Sequence, residues 1–157
     1  MPGLRVWVVN VTDLMILEAS SSHPQALTDD AFDALFTEDV PIHFNYHGYA
    51  NELKGPRIGR NNMHRVTIAN HNEEGSTTTP FNMMLVHSTS RYHVAMQATK
   101  GAAKRNEAAR LRSHEVTSEL MGMISKMQND IMKEETDPDY LNEIGNFKPD
   151  TASMSVG

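Results

Sequence analysis

At 157 residues, the chain is the size of one domain and can bury about two-thirds of its unfolded surface. It holds no cysteine, which excludes a disulfide framework, a thiolate nucleophile and a cysteine metal site, and suits a reducing compartment. The formal net charge of −6 argues against nucleic-acid binding, where affinity rests on neutralising phosphates.

Leu4–Val11 (LRVWVVNV) is β-branched and nearly continuous, so it reads as a strand buried on both faces. Asn10, Thr12 and Asp13 stop this apolar run well short of a membrane span or a secretory signal. Without a signal, the Asn10-Val11-Thr12 sequon is a chance match, and Gly3 stands one place too late for myristoylation. The expectation is a cytoplasmic protein with no membrane partner.

Thr28-Asp29-Asp30 caps and charges the start of a short helix carrying Ala31, Phe32, Leu35 and Phe36. Val40–Tyr46 (VPIHFNY) reads as a second strand, with Pro41 near its beginning where a lost donor is tolerable. Residues 48–54 suit a helix that Gly55-Pro56 ends. Met63–Ala69 (MHRVTIA) reads as a third strand.

NEEGSTTTPF then turns the chain, and Thr79-Pro80 marks a helix start, with the threonine as cap and proline at the first helical position. Two readings stand for Gly75, Ser76, Thr77, Thr78 and Thr79. One is a well-capped loop or interface. The other is an anion seat, since orphan amides and the helix dipole favour negative charge.

Arg91–Ala98 is expected to be helical, and a long helix to run from about Asn106 to Glu134. Its apolar positions Val116, Leu120, Ile124, Met127 and Ile131 form a core-facing stripe. Met121, Met123, Met127 and Met132 read as core filler and packing surface. Residues 1–143 make the domain, and 144–157, small and polar, make a loose tail. Strands alternating with helices argue for an α/β layer architecture with a largely parallel sheet.

Candidate chemistry is sparse. His43 and His47 are spaced HxxxH, but on a strand they lie roughly 13 Å apart, too far to share an ion. His64, His71, His87, His93 and His114 show no metal-site spacing. Gly101–Arg105 lacks the first glycine and the Lys-Ser/Thr ending of a phosphate loop, and Gly55–Arg60 carries no dinucleotide fingerprint. There is no GxSxG elbow. Charge is segregated: residues 1–53 hold one base and eight acids, 54–112 ten bases and three acids, and 113–157 three bases and nine acids. The basic centre can face phosphates or pair with its own acidic flanks.

Read together and in order, VWVVNVTDLMIL, HPQALTDDAFDALF, PIHFNYHGYANELKG, NMHRVTIA, NEEGSTTTPFNMMLVHSTSRYHVAMQA and GAAKRNE strongly resemble the C-terminal domain of phosphoketolases. The resemblance runs from about Leu4 to Tyr140, and the joint occurrence of HPxxLTDxxFDALF, HFNYHGY and EEGSTTTPF makes it specific. It implies a three-layer αβα domain with a mostly parallel sheet and a long C-terminal helix, lacking the family's first strand and helix. Pro56 departs from the family's pattern, because it falls where the family continues an apolar helical segment.

Phosphoketolases are transketolase-like aldehyde-lyases of carbohydrate metabolism. They use thiamine diphosphate and magnesium to cleave xylulose 5-phosphate or fructose 6-phosphate with phosphate, giving acetyl phosphate and an aldose phosphate. The family holds that cofactor and metal in its other domains. The resemblance therefore implies no catalytic, cofactor or metal residue here, and an inactive isolated chain. It also implies packing on other phosphoketolase domains or subunits, as a homodimer, and an architectural Gly75–Thr79 loop. A stand-alone module docking on a full-length phosphoketolase is the alternative.

Overall fold

A computed structural model of the protein describes residues 4–19, 23–48, 60, 62–71 and 77–142. The expected helix at 48–54, apart from Gly48, and the tail at 144–157 lie outside them. The described residues form an α/β fold with a two-stranded parallel sheet and a long C-terminal helix. In chain order the elements are a 3-10 turn at Leu14–Leu17, α1 (Asp29–Phe36), β1 (Ile42–His47), β2 (Val66–His71), α2 (Pro80–Val86), α3 (Arg91–Ala103) and α4 (Glu107–Glu134). Short 3-10 turns precede β2 and follow α4.

Local chemistry sets most of these boundaries. The Thr28 hydroxyl accepts the Ala31 N–H at the start of α1, and the Asn106 side chain accepts the Ala109 N–H at the start of α4. Met63–Arg65, expected as the start of a strand, forms a 3-10 turn instead, so β2 begins at Val66. α3 extends to Ala103, past the expected end at Ala98. Its closing turn approaches the sheet at Gly101, where an added Cβ would stand 3.4 Å from Pro41 Cβ.

β1 and β2 pair in parallel from Ile42↔Val66 to His47↔His71, so their carboxyl ends finish side by side. Leu17 and Phe32 are buried beside the sheet, with Phe36, Phe44, Tyr46 and Ile68 packed around them. A second cluster joins α2, α3 and α4 through Leu85, Met96, Ile124, Met127 and Ile131, closed by Leu141. The expected stripe of α4 thus supplies three buried residues, with Leu120 packed against them and Val116 half-buried. Of the four α4 methionines only Met127 is core, since Met121, Met123 and Met132 are exposed.

One expected element is absent. Leu4–Val11 is not a strand: it runs without regular structure, and although Val11 packs against the Leu17–Phe32 cluster, Trp7 and Val8 are 79% and 86% exposed. Its apolar composition satisfies strand chemistry, but a strand also needs a hydrogen-bonding neighbour, and among the described residues β1 and β2 pair only with each other.

Two buried arginines, which periodicity could not reveal, hold α1 at both ends. Arg60 donates to Leu17 O (3.2 Å), Leu27 O (2.6 Å) and Asp29 Oδ1 (2.5 Å), with its guanidinium over the Phe32 ring. Arg65 donates to Phe36 O (3.0 Å), Thr37 O (2.5 Å) and Val40 O (2.8 Å). A cation at the C-terminal carbonyls of α1 also suits the helix dipole. Arg105 pairs with Asp39 across the surface. These arginines belong to the basic centre and turn toward the protein itself, Arg60 and Arg105 pairing with acids of the N-terminal segment.

Candidate functional site

The start of α2 carries the described part of the hydroxyl-rich loop. Thr79 caps the helix by accepting the Asn82 N–H at 3.3 Å, and Thr78 Oγ1 accepts the Asn82 side-chain amide at 2.7 Å. The Met83 N–H donates to Thr79 O. The Phe81 N–H donates to Asp137 Oδ2 at 3.2 Å, so a carboxylate from beyond the end of α4 sits at this helix start. Pro80 has no N–H. The first-turn amides Phe81, Asn82 and Met83 are therefore all engaged within the chain. Thr77 and Thr78 are exposed and Thr79 is half-buried, while Gly75 and Ser76 lie outside the described residues.

The Thr79 cap predicts that Thr79→Ala lowers unfolding free energy by about 0.5–2 kcal/mol. With the amides occupied, millimolar phosphate should leave the melting temperature of the unaltered protein nearly unchanged. Thermal denaturation with and without phosphate reads both expectations. A rise of several degrees that vanishes in Thr79→Ala would mark an anion seat instead.

Three histidines converge at the carboxyl edge of the sheet. His47 ends β1, His71 ends β2 beside it, and His87 follows α2. The His47 and His71 rings meet edge-on with centroids 4.7 Å apart, and His71 and His87 meet the same way at 4.9 Å. His87 Nδ1 and His71 Nδ1 are 3.3 Å apart, so one ring donates and the other accepts. Nearby, Asn45 Nδ2 donates to Thr89 O at 2.9 Å, a tie between β1 and the turn after α2. The Gly48 N–H donates to His71 O, and Gly48 has φ +150° with an added Cβ only 2.5 Å from the Tyr46 ring, so only glycine fits.

In-chain spacing hid this cluster. His47 and His71 are neighbours only because the strands are parallel and in register, and His87 arrives from a third element. The signal available was three apolar segments each closing on a histidine. Among the described residues, no three His, Cys, Asp or Glu side chains are placed to hold one ion.

Two further histidines are tuned by burial. The Thr67 hydroxyl donates to Ile42 O, so His43 Nδ1 carries the proton that meets Thr67 Oγ1 and the bare Nε2 is buried without a partner. Desolvation lowers the His43 pKa from the ordinary histidine value. The His93 pKa is lowered by burial and then by the Lys100 charge, with Nδ1 bonded to the fully buried Ser90 hydroxyl. Both groups fold neutral, so the unfolded chain binds more protons below pH about 6.5. Stability should be fully present above that value and decline as pH falls below it. Urea unfolding across this range checks the sign, and His43→Phe should flatten the slope.

Beyond the histidines, the main exposed feature is apolar. Val6, Trp7 and Val8 stand out from the N-terminal segment, and Leu111, Met121 and Met132 from α4. No helix among the described residues is long and apolar enough to cross a membrane.

Sequence comparison decides the family. The family described as "XFP C-terminal domain" matches residues 1–146. The chain belongs to the phosphoketolase C-terminal domain family. A "Probable phosphoketolase" of Schizosaccharomyces pombe is 42% identical over 153 residues, covering 98% of this chain and 18% of that protein. "Probable phosphoketolase 2" of Rhizobium meliloti is 46% identical over 94 residues, covering 60% of this chain and 12% of its own length. A "Probable phosphoketolase" of Rhodopseudomonas palustris is 43% identical over 99 residues, covering 63% and 13%. This phosphoketolase C-terminal domain thus spans under a fifth of the relatives it matches.

Proposed function

We propose that this chain serves as the noncatalytic packing domain of a thiamine-diphosphate-dependent phosphoketolase, docking on the enzyme's other domains and supporting a cytoplasmic homodimer. The parent activity is cleavage of xylulose 5-phosphate or fructose 6-phosphate with phosphate, giving acetyl phosphate and an aldose phosphate. The observation that carries the reading is the exposed Val6-Trp7-Val8 segment, in a chain that aligns with only 18% of a phosphoketolase. A tryptophan 79% exposed between two exposed valines is unfavourable in water, and such a segment marks an interaction surface. Thiamine diphosphate and magnesium would be held by other parts of the enzyme, and no step here runs through them.

The purified chain is expected to make no acetyl phosphate from fructose 6-phosphate, phosphate, thiamine diphosphate and magnesium. Turnover that persists after contaminating host enzyme is removed would overturn this. The same apolar segment also suits a stand-alone module that docks on a full-length phosphoketolase. Transcript sequence upstream of Met1 separates the two: an in-frame region encoding a GDG…N cofactor motif supports the domain reading.

A further inference from the structure

We infer that the outward face of α4 is a self-complementary seam, on which a second copy of this chain packs its own α4 antiparallel. Leu111, His114, Ser118, Ser125, Asn129 and Met132 stand on the side of the helix opposite the buried Ile124, Met127 and Ile131. All six are exposed, and none is an acid, a lysine or an arginine. Their steps of 3, 4, 7, 4 and 3 residues read the same in both directions, about a midpoint between Met121 and Gly122. Steps of three and four are the spacing with which one helix lines up along another.

From either end the seam runs apolar, polar, small. Antiparallel pairing about the midpoint sets Leu111 against Met132, His114 against Asn129 and Ser118 against Ser125. At the centre, Met121 of each copy meets Gly122 of the other. Met121 is 60% exposed, and a Cβ added at Gly122 would touch nothing within 4 Å. Glycine weakens a helix interior, and no described neighbour requires it here. The space it leaves admits a methionine from a facing helix, since small residues let helix axes approach and a flexible thioether fills the gap.

Charge complementarity favours a second copy as the occupant. Glu115, Glu119 and Lys126 lie along one flank of the seam. Reversal about the midpoint brings Lys126 of each copy between Glu115 and Glu119 of the other, so base meets acid. Among the described residues, neither Glu119 nor Lys126 has an ion-pair partner within its own chain. A parallel pair would instead turn this flank toward the Met121 side of its partner. The seam rests on the homodimer of the proposed function and names the face that forms it.

The chain has no cysteine, so introduced thiols report alone. Ser118→Cys and Ser125→Cys are made in the Trp7→Ser/Val8→Ser chain, which removes association through the N-terminal segment. Antiparallel pairing brings residue 118 of one copy opposite residue 125 of the other. Like positions then stand about 10 Å apart along the axis, beyond disulfide reach. An equal mixture of the two variants should form linked dimers at least about tenfold faster than either variant alone, because pairing raises the effective thiol concentration. Oxidation traps the pair even where it is a minor species in sedimentation. Lys126→Glu should slow the mixed reaction, and adding Glu115→Lys and Glu119→Lys should restore it. Equal rates in the mixture and the single variants, faster linkage of either variant alone, no linkage, or a rate indifferent to Lys126→Glu would overturn the seam. Neither the acetyl phosphate assay nor Trp7 docking senses this face, so failure of the proposed function and failure of the seam are told apart.

Discussion

Replacing Arg65 with methionine should lower unfolding free energy by about 3 kcal/mol, enough to remove much of the stability of a domain this size. Arg65 is 8% exposed, and its guanidinium gathers three carbonyls, Phe36 O, Thr37 O and Val40 O, that no other described group is shown to bond. Methionine fills much of the volume but donates nothing, so three acceptors lose a charge-assisted partner at once. Thr37 holds φ 61°, a costly conformation for a β-branched residue, and relaxation there offsets only part of the loss. Lysine should rescue only part, because its single ammonium cannot reproduce the planar fork. Chemical denaturation of the three proteins checks the order arginine, lysine, methionine. A methionine variant within 1 kcal/mol of the parent, where surface changes fall, would show the clamp to be decorative.

The isolated chain should associate at micromolar concentration. Val6, Trp7 and Val8 are exposed on a segment without regular structure, and both strands of the sheet are edges within the described residues. Exposed apolar side chains and open strand edges each invite pairing between copies. Replacing Trp7 and Val8 together with serine should shift sedimentation toward monomer without lowering the unfolding temperature, because neither side chain is part of the core. A parent chain that sediments as a stable monomer would contradict this. So would a double variant that unfolds early, which would place the segment in the fold.

How much of this was legible in the sequence depends on the range of the interaction that fixes each part. Thr28, Thr79 and Asn106 cap helices through bonds three residues away, so α1, α2 and α4 start where the residue pattern puts them. The stripe through Ile124, Met127 and Ile131 encodes the buried face of α4. Leu4–Val11 failed because β propensity is not a partner. Arg60 and Arg65 looked like part of a basic patch, and only tertiary contacts show that they serve carbonyls inside the domain. The carboxylate of Asp137, fifty-six positions from Phe81, explains why a helix start rich in hydroxyls leaves its first-turn amides occupied. The histidine cluster depends on strand register, which pairwise spacing along the chain does not record.

The central claim, that the N-terminal apolar segment is a docking surface for the rest of a phosphoketolase, can be tested at one residue. Trp7 is the only tryptophan in the chain, so fluorotryptophan incorporated into this protein alone reports on that segment by fluorine NMR. The partner is the Schizosaccharomyces pombe relative truncated to remove the region this chain matches. Titration with that partner should move the Trp7 resonance, broaden it to that of a large complex, and abolish its response to solvent exchange. A Trp7 resonance that stays sharp and solvent-exposed at saturating partner would contradict the account.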